Sequence, residues 1–255
     1  MISPEDPPGF IVRTEATKAA SNNGFRLEQG IENGWLRFAS TTVRCEIWIA
    51  GASTSGPWML SVDRPEVGAE IGPQSLSPTS GPGAVTFIFD ALEPLYDALD
   101  RAYRLGLSLP DAPLANFRAT IQNLPRTTEA ERLVVQRIGQ DVFRQALLAY
   151  WGGRCPLTGI SEPQLLRASH IVPWAECATD EHRLDVHNGL LLSALWDAAF
   201  DAGLISFADD GAVLASANLS SDAAATLGLD KRAKLTGLTA THETNLKWHR
   251  ARYQF

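Results

Sequence analysis

The middle of the chain carries the feature that most constrains the fold, a change in sequence pattern across residues 106–125. This stretch contains Pro110, Pro113 and Pro125. Proline interrupts regular helices and interior strands, so the stretch resembles a connector. A chain of 255 residues is long enough for two domains of ordinary size. We therefore predict an α+β protein with domains at residues 1–105 and 126–255, joined by a linker at residues 106–125.

The first half has the pattern of a strand-rich domain. Segments rich in β-branched and aromatic residues predict strands at residues 35–40, 42–50, 57–62 and 84–89. Residues 64–83 are rich in Pro, Gly and Ser and are expected to form a long loop. A helix is predicted over residues 91–105, with Asp90 as its N-cap.

The second half opens with a long amphipathic helix, predicted over residues 128–150. Thr127 or Thr128 is its expected cap, and Gly152-Gly153 is its expected stop. A short helix is predicted over residues 192–202. It is followed by a hairpin (strands at 204–207 and 212–215) and by a final helix over residues 241–252.

Composition limits the cellular context and the partners. No uninterrupted apolar stretch is long enough to span a membrane, and the N-terminus lacks the pattern of a secretory signal. Three cysteines, far apart in sequence, do not suggest a disulfide framework, so we expect a cytoplasmic protein. The net charge of −7 argues mildly against a nucleic-acid binder, but residues 231–255 carry six basic side chains against Glu243 alone.

Residues 154–203 contain the side chains that can carry chemistry. Ser169-His170 is followed by a polar loop, by His187-Asn188-Gly189, and by a predicted helix bearing Asp197 and Asp201. An imidazole titrates near neutrality and can take a proton from water. Carboxylates can hold a hard divalent cation that neutralises charge on a phosphate. Together these residue types can hydrolyse a phosphodiester.

These residues resemble the HNH endonuclease family with its ββα-metal finger, in particular the branch found in restriction-type nucleases. The matching motifs lie within about 115 residues: Gly139-Gln140-Asp141-Val142-Phe143-Arg144, Arg154-Cys155-Pro156-Leu157-Thr158-Gly159, Ala168-Ser169-His170-Ile171-Val172-Pro173-Trp174, Arg183-Leu184-Asp185, Asn188-Gly189-Leu190-Leu191-Leu192, Phe200-Asp201-Ala202-Gly203-Leu204-Ile205 and Trp248-His249-Arg250. The resemblance implies a C-terminal HNH nuclease domain with flanking helices.

The resemblance also implies a role for each motif residue. His170 falls on the first motif position and would be the general base, with Asn188 shaping the loop that orients it. Asp197 falls on the third position, where a carboxylate suits Mg²⁺ or Mn²⁺. The expected metal-site residues are Asp197, His170 and Ser169. The expected nucleic-acid contacts are His249, Arg250, Lys247 and Arg183, although His249 and Arg250 can equally anchor the last helix.

The sequence departs from the family pattern at Ser169, where many members have Asp or His as a metal ligand. Asp185, His187 or water are alternatives for that ligand, whereas Asp201 is more readily interpreted as a turn-capping residue. Without a CxxC pair we expect no structural zinc, and Cys155 is interpreted as a core residue.

The function predicted from these motifs is metal-dependent cleavage of DNA, most simply double-stranded DNA in a restriction or defence setting, by a monomer or a homodimer. The alternatives are a DNA-binding or regulatory protein with a degenerate HNH finger, and a nuclease for RNA or single strands. Residues 1–105 would be the recognition module. Their strand aromatics are expected to form core, and the alternative is a pocket that stacks a flipped or modified base. A further alternative is that this module binds a protein partner or a regulator. The aromatics concerned are Trp35, Phe38, Trp48, Trp58 and Phe87.

Overall fold

The computed structural model describes residues 2–72, 81–109, 111–125, 128–229 and 234–255. Pro110, Thr127 and two of the six basic residues of the C-terminal stretch, Lys231 and Arg232, lie outside these ranges. The chain divides into two compact units, Met1–Ala112 and Pro113–Phe255. Across the described ranges, no helix is both long enough and apolar enough to cross a membrane.

The first unit contains a five-stranded antiparallel sheet whose strands follow chain order. The strands are β1 (Leu27–Glu32), β2 (Trp35–Ala39), β3 (Ile47–Gly51), β4 (Trp58–Val62) and β5 (Val85–Phe89). The helices are α1 (Phe10–Asn22), α2 (Pro65–Glu70) and α3 (Leu92–Ser108). α1 contacts β2 and β3, and α3 contacts β4 and β5, so both helices cover the sheet. The predicted strand-rich architecture of the first half is confirmed.

Most of the aromatic residues on this sheet are core residues. Trp35, Phe38, Trp58 and Phe87 are each at most 5% exposed. Trp48 is only partly buried, and the Arg37 guanidinium lies 5.6 Å from the centre of its ring. Trp48 is therefore the one aromatic of the five that remains partly exposed.

Several local predictions in the first half were wrong. Part of the expected loop at residues 64–83 is α2, which has a proline in its first turn, where the missing N–H is not needed. Residues 73–80 of that loop lie outside the described ranges. The N-cap of α3 is Ala91, without a side-chain cap bond, and not Asp90.

The expected connector at residues 106–125 is largely helical. α3 extends to Ser108, and α4 (Asp111–Ile121) follows almost at once. Pro113 lies in the first turn of α4, where proline is tolerated. Phe117 and Ile121 of α4 are buried. Of the prolines that predicted a connector, Pro113 therefore lies at the start of a helix.

The second unit is built around a long helix and a two-stranded antiparallel sheet. The helices are α5 (Glu129–Tyr150), α6 (Asp180–Leu184), α7 (Ala194–Asp201), α8 (Ser221–Leu227) and α9 (Ala240–Tyr253). The strands are β6 (Leu166–His170), β7 (Gly189–Ser193), β8 (Ile205–Phe207) and β9 (Val213–Ala215). α5 begins as predicted, because Thr128 and Glu131 form a reciprocal capping box.

Gly189 lets α5 lie close to the first residue of β7. β6 pairs with β7 from Leu166 opposite Ser193 to His170 opposite Gly189. A Cβ atom on Gly189 would collide with the Phe143 ring and would lie 2.8 Å from Leu147 Cδ1. The missing side chain therefore sets how closely α5 approaches the end of β6 that carries His170.

Substituting Gly189 with alanine is expected to lower the free energy of unfolding by about 1–3 kcal/mol, the usual cost of overpacking a core. Urea denaturation of the purified variant measures this loss. Phe143→Leu removes the outer ring atoms that the new methyl group would meet. Gly189→Ala should therefore lower the free energy of unfolding less in the Phe143→Leu variant than in the parent protein. An equal cost in both backgrounds would contradict the contact as the cause.

Candidate active site

His170 lies at the end of β6, half-buried, with its ring held on two sides. The ring stacks on Phe143 with centroids 3.8 Å apart and makes a T-shaped contact with the Trp174 ring, with centroids 5.8 Å apart. Its Nε2 lies 2.9 Å from the carbonyl oxygen of Arg183. A carbonyl can only accept, so Nε2 carries the proton and Nδ1 carries the lone pair. Burial, with a smaller contribution from His182, lowers the pKa of His170 to about 4.

Asn188 fixes the segment that connects β6 to β7, residues 171–188, which we call the connecting loop. Its side chain is fully buried and pairs with the backbone of Val172, accepting from the N–H at 2.8 Å and donating to the carbonyl at 3.1 Å. It also donates to the Cys177 Sγ at 3.3 Å and to the His182 carbonyl at 3.3 Å. Asn188 thereby joins both ends of the connecting loop next to His170.

Two carboxylates of α7 lie beside Ser169. The Ser169 hydroxyl donates to Asp201 Oδ1 at 3.3 Å. Ser169 is also within hydrogen-bonding reach of Asp197, and this interaction offsets part of the rise in the pKa of the Asp197 carboxyl group that burial causes. Asp197 and Asp201 are one helical turn apart and share a face of α7. Burial raises the pKa of both carboxyl groups, and the negative charge of Asp197 raises that of Asp201 further.

A cleft of about 380 Å³ opens where these elements meet. Its lining includes Ser169, His170 and Asp201, with Trp174 from the connecting loop. Asp197 is not among the lining residues, but its carboxyl group hydrogen-bonds with Ser169, which does line the cleft. α5 contributes Gln140, and α9 contributes His249 and Tyr253, whose hydroxyl donates to the Asp201 carbonyl at 3.0 Å. The cleft therefore combines the imidazole of His170 with the partly desolvated carboxylate of Asp201, and Asp197 lies behind Ser169.

Comparison with protein families identifies the segment that holds this cleft. The family model described as HNH endonuclease matches residues 155–208. This segment belongs to the HNH endonuclease family. The match includes β6, the connecting loop, β7 and α7, and it implies a nuclease that acts on DNA with a divalent metal ion. No curated protein matches the chain.

The donor atoms of the HNH segment fit a hard divalent cation. Asp197, Asp201 and Ser169 supply oxygen, the donor that Mg²⁺ and Mn²⁺ prefer, and the buried carboxylates would be stabilised by positive charge. Among the described residues no group of three or more His, Cys, Asp or Glu side chains converges as a complete metal site. An ion held here would therefore draw part of its coordination from water and phosphate oxygens.

The other candidate ligands of the HNH segment are engaged elsewhere. His187 Nδ1 donates to Asp185 Oδ1 at 2.8 Å, and neither residue lines the cleft. Asp201, which the sequence favoured as a turn-capping residue, lies in the cleft instead. Its spacing of four residues from Asp197 was the signal that indicated this position. Cys155 is fully buried, as expected for a core residue.

The expected nucleic-acid contacts mostly serve the packing of the HNH segment and of α9. His249 is 2% exposed: its Nε2 donates to the Phe200 carbonyl at 3.2 Å, and its Nδ1 accepts from Ser206 at 2.9 Å. Arg250 donates to the Phe207 carbonyl and to Asp209, both at 2.6 Å. These bonds anchor α9 to β8, the alternative that the sequence left open.

Two of the expected contacts have different surroundings. Lys247 is 60% exposed and lies 3.8 Å from Asp209, so its ammonium can reach solvent. Arg183 directs its guanidinium into the connecting loop. The sequence did not indicate Gln140, Trp174 or Tyr253 as cleft residues, because each belongs to a different element and no local pattern links them.

Proposed function

We propose that this protein is a metal-dependent endonuclease that hydrolyses phosphodiester bonds of double-stranded DNA. The observation that carries the proposal is the arrangement of His170. Its ring is stacked, its Nε2–H is bound to a carbonyl, and it shares a cleft with Ser169 and Asp201. The HNH family match of the same segment supports this assignment.

In the proposed mechanism His170 is the general base. Its Nδ1 takes a proton from water as the water oxygen attacks phosphorus, and the bond between phosphorus and the 3′-oxygen breaks. The products are a 5′-phosphate and a 3′-hydroxyl, whose oxygen takes a proton from solvent. The lowered pKa keeps the imidazole neutral at physiological pH, so the base is available without prior deprotonation.

Asp197 and Asp201 would hold the metal ion on the α7 side of Ser169. Held by these carboxylates, Mg²⁺ or Mn²⁺ would supply positive charge next to the scissile phosphate and the leaving oxygen. Ser169 positions the Asp201 carboxylate by its hydrogen bond. In this proposal β6, β7 and α7 form the ββα-metal finger of the family.

The flanking regions would supply affinity and specificity. Lys247 remains a candidate phosphate contact because its side chain is exposed. The first unit would act as the recognition module, and the partly exposed Trp48 beside Arg37 would be its candidate for stacking on a base. A restriction or defence role and a homodimer that cuts both strands complete the proposal.

A second candidate function, DNA binding without cleavage, is favoured by one observation. Ser169 occupies a position where a strong ligand is common, and the described residues contain no three-ligand cluster. A degenerate finger of this kind would bind DNA and leave it intact.

Incubation with supercoiled plasmid is expected to give nicked and linear DNA with Mg²⁺ or Mn²⁺ and no cleavage with excess chelator. The reason is that the described residues lining the cleft include a base but no Lys or Arg, so a bound cation would be needed to stabilise the phosphate. Plasmid with and without base modification should be compared in the same assay. Full activity in chelator would refute metal dependence. Metal-independent DNA binding without any cleavage would establish the second candidate.

A further inference from the structure

Each of the three nitrogens of the Arg183 guanidinium donates a hydrogen bond within the connecting loop. Nε donates to the Trp174 carbonyl at 3.2 Å, Nη1 to Asp180 Oδ1 at 2.9 Å, and Nη2 to the Cys177 carbonyl at 2.6 Å. The side chain is 24% exposed. These bonds use three of the five N–H donors, one on each nitrogen, so a phosphate contact at this position would be limited to the remaining Nη hydrogens.

The backbone of the same residue holds the proposed base. The Arg183 carbonyl accepts the proton of His170 Nε2 at 2.9 Å. The Arg183 guanidinium also lies 5.7 Å from the centre of the Trp174 ring, and that ring makes a T-shaped contact with His170, with centroids 5.8 Å apart. Arg183 therefore reaches His170 by two routes, through its own carbonyl and through the ring that its side chain supports.

We propose that Arg183 is a positioning residue whose side chain holds the connecting loop so that its own carbonyl fixes the Nε2–H tautomer of His170. This role rests on the proposed function only where it concerns catalysis, since the tautomer is a property of the free protein. Without the three side-chain bonds, the backbone at Arg183 loses its ties to Trp174, Cys177 and Asp180. The carbonyl then moves away from Nε2, and the proton can shift to Nδ1, the nitrogen that must stay unprotonated for catalysis.

Lysine separates this role from phosphate binding. Lys keeps the positive charge that a phosphate needs, but it lacks the planar fork that donates to three acceptors in fixed directions. A phosphate contact should therefore survive Arg183→Lys in large part, whereas a positioning role should not. Arg118→Lys is a matched control, because Arg118 is 61% exposed and pairs with Glu181 of α6 without contacting His170.

The experiment is nitrogen-15 NMR of the imidazole side chains at pH 7.5, without DNA or metal. The chain has five histidines, so the His170 signal can be assigned from a His170→Gln spectrum. We expect the parent and Arg118→Lys to show the Nε2–H tautomer, and Arg183→Lys to shift the tautomer ratio by roughly tenfold toward Nδ1–H, the effect of one lost hydrogen bond. Plasmid cleavage by Arg183→Lys should show a kcat lower by about 10–100-fold with little change in KM.

Two outcomes would overturn the positioning role. One is an unchanged His170 tautomer in Arg183→Lys. The other is an unchanged tautomer in Asp180→Ala, which removes one of the three anchors and serves where Arg183→Lys does not fold. A change in DNA affinity alone would assign Arg183 to phosphate binding. If the parent does not cut DNA but the tautomer shifts as expected, the nuclease proposal fails and the positioning role stands.

Discussion

Replacing His170 with alanine is expected to lower the rate of DNA cleavage by about 10²- to 10⁴-fold, the usual contribution of a general base. The loss should appear in kcat and not in DNA affinity, because the imidazole acts on the attacking water and not on the binding of the duplex. Raising the concentration of Mg²⁺ or Mn²⁺ should not restore the rate, since the proton acceptor itself is missing. Single-turnover cleavage of a labelled duplex measures the effect.

The control for this variant is its fold, because the His170 ring stacks on Phe143 and its removal leaves a gap. His170→Gln keeps a side-chain amide that can donate to the Arg183 carbonyl, and it should be as inactive as the alanine variant. Circular dichroism melts and DNA binding in chelator establish that both variants are folded. Cleavage by folded His170→Gln at close to the parent rate would exclude His170 as the base.

The pH dependence of the parent follows from the lowered pKa of His170. With a pKa of about 4, the imidazole is neutral above that pH, so the rate should not fall as the pH drops through 6.5, where an exposed histidine protonates. Because the folded-state pKa lies below the unfolded one, His170 contributes stability above pH 6.5 that is lost as the pH falls toward 4. Burial lowers the pKa of His249 to about 4 as well, so both histidines destabilise the second unit across this range.

Elements with strong periodicity or clear caps could be predicted from the sequence. The long helix α5 has both a capping box and a glycine stop, and the strands of the first sheet carry large apolar residues. α1 was missed because its buried face consists of small residues such as Ala16, Ala19 and Ala20, whereas Phe10 is 83% exposed. β1 was missed because all six of its residues are exposed, so burial imposed no alternation on its sequence.

The sequence alone indicated which residues of the motif are candidates for the site, but not how side chains from other elements are directed. The order of His170, Asn188 and Asp197 follows the family, and the structure places His170 and Asn188, with Ser169, at one end of the β6–β7 pair. The direction of an arginine side chain cannot be inferred from sequence, since an inward fork and an outward phosphate contact use the same residue. Arg183 and Arg250 both direct their forks to backbone carbonyls, which only the three-dimensional packing reveals.

Replacing Asp197 with alanine is expected to lower cleavage by about 10²-fold or more, through loss of the metal ion and not of the base. The motivation is that Asp197 and Asp201, the two carboxylates of α7, both interact with Ser169, although of the two only Asp201 lines the cleft. Removing Asp197 leaves one carboxylate, whose pKa should fall because a neighbouring negative charge has gone. Because one carboxylate ligand is missing, the variant should bind Mn²⁺ more weakly while keeping its fold.

The outcome that distinguishes Asp197 from His170 is partial rescue by metal. Excess Mn²⁺ should restore part of the activity of Asp197→Ala, because a weaker site can still be filled by mass action, and it should restore none in His170→Ala. Titration calorimetry with Mn²⁺ gives a second readout that does not depend on cleavage, and Asp201→Ala should weaken Mn²⁺ binding in the same assay. Asp209→Ala, which removes an exposed carboxylate near Lys247 and Arg250, is the matched control and should bind Mn²⁺ like the parent. Unchanged Mn²⁺ affinity in both Asp197→Ala and Asp201→Ala would place the metal elsewhere, because no ion can lose a carboxylate ligand without binding more weakly.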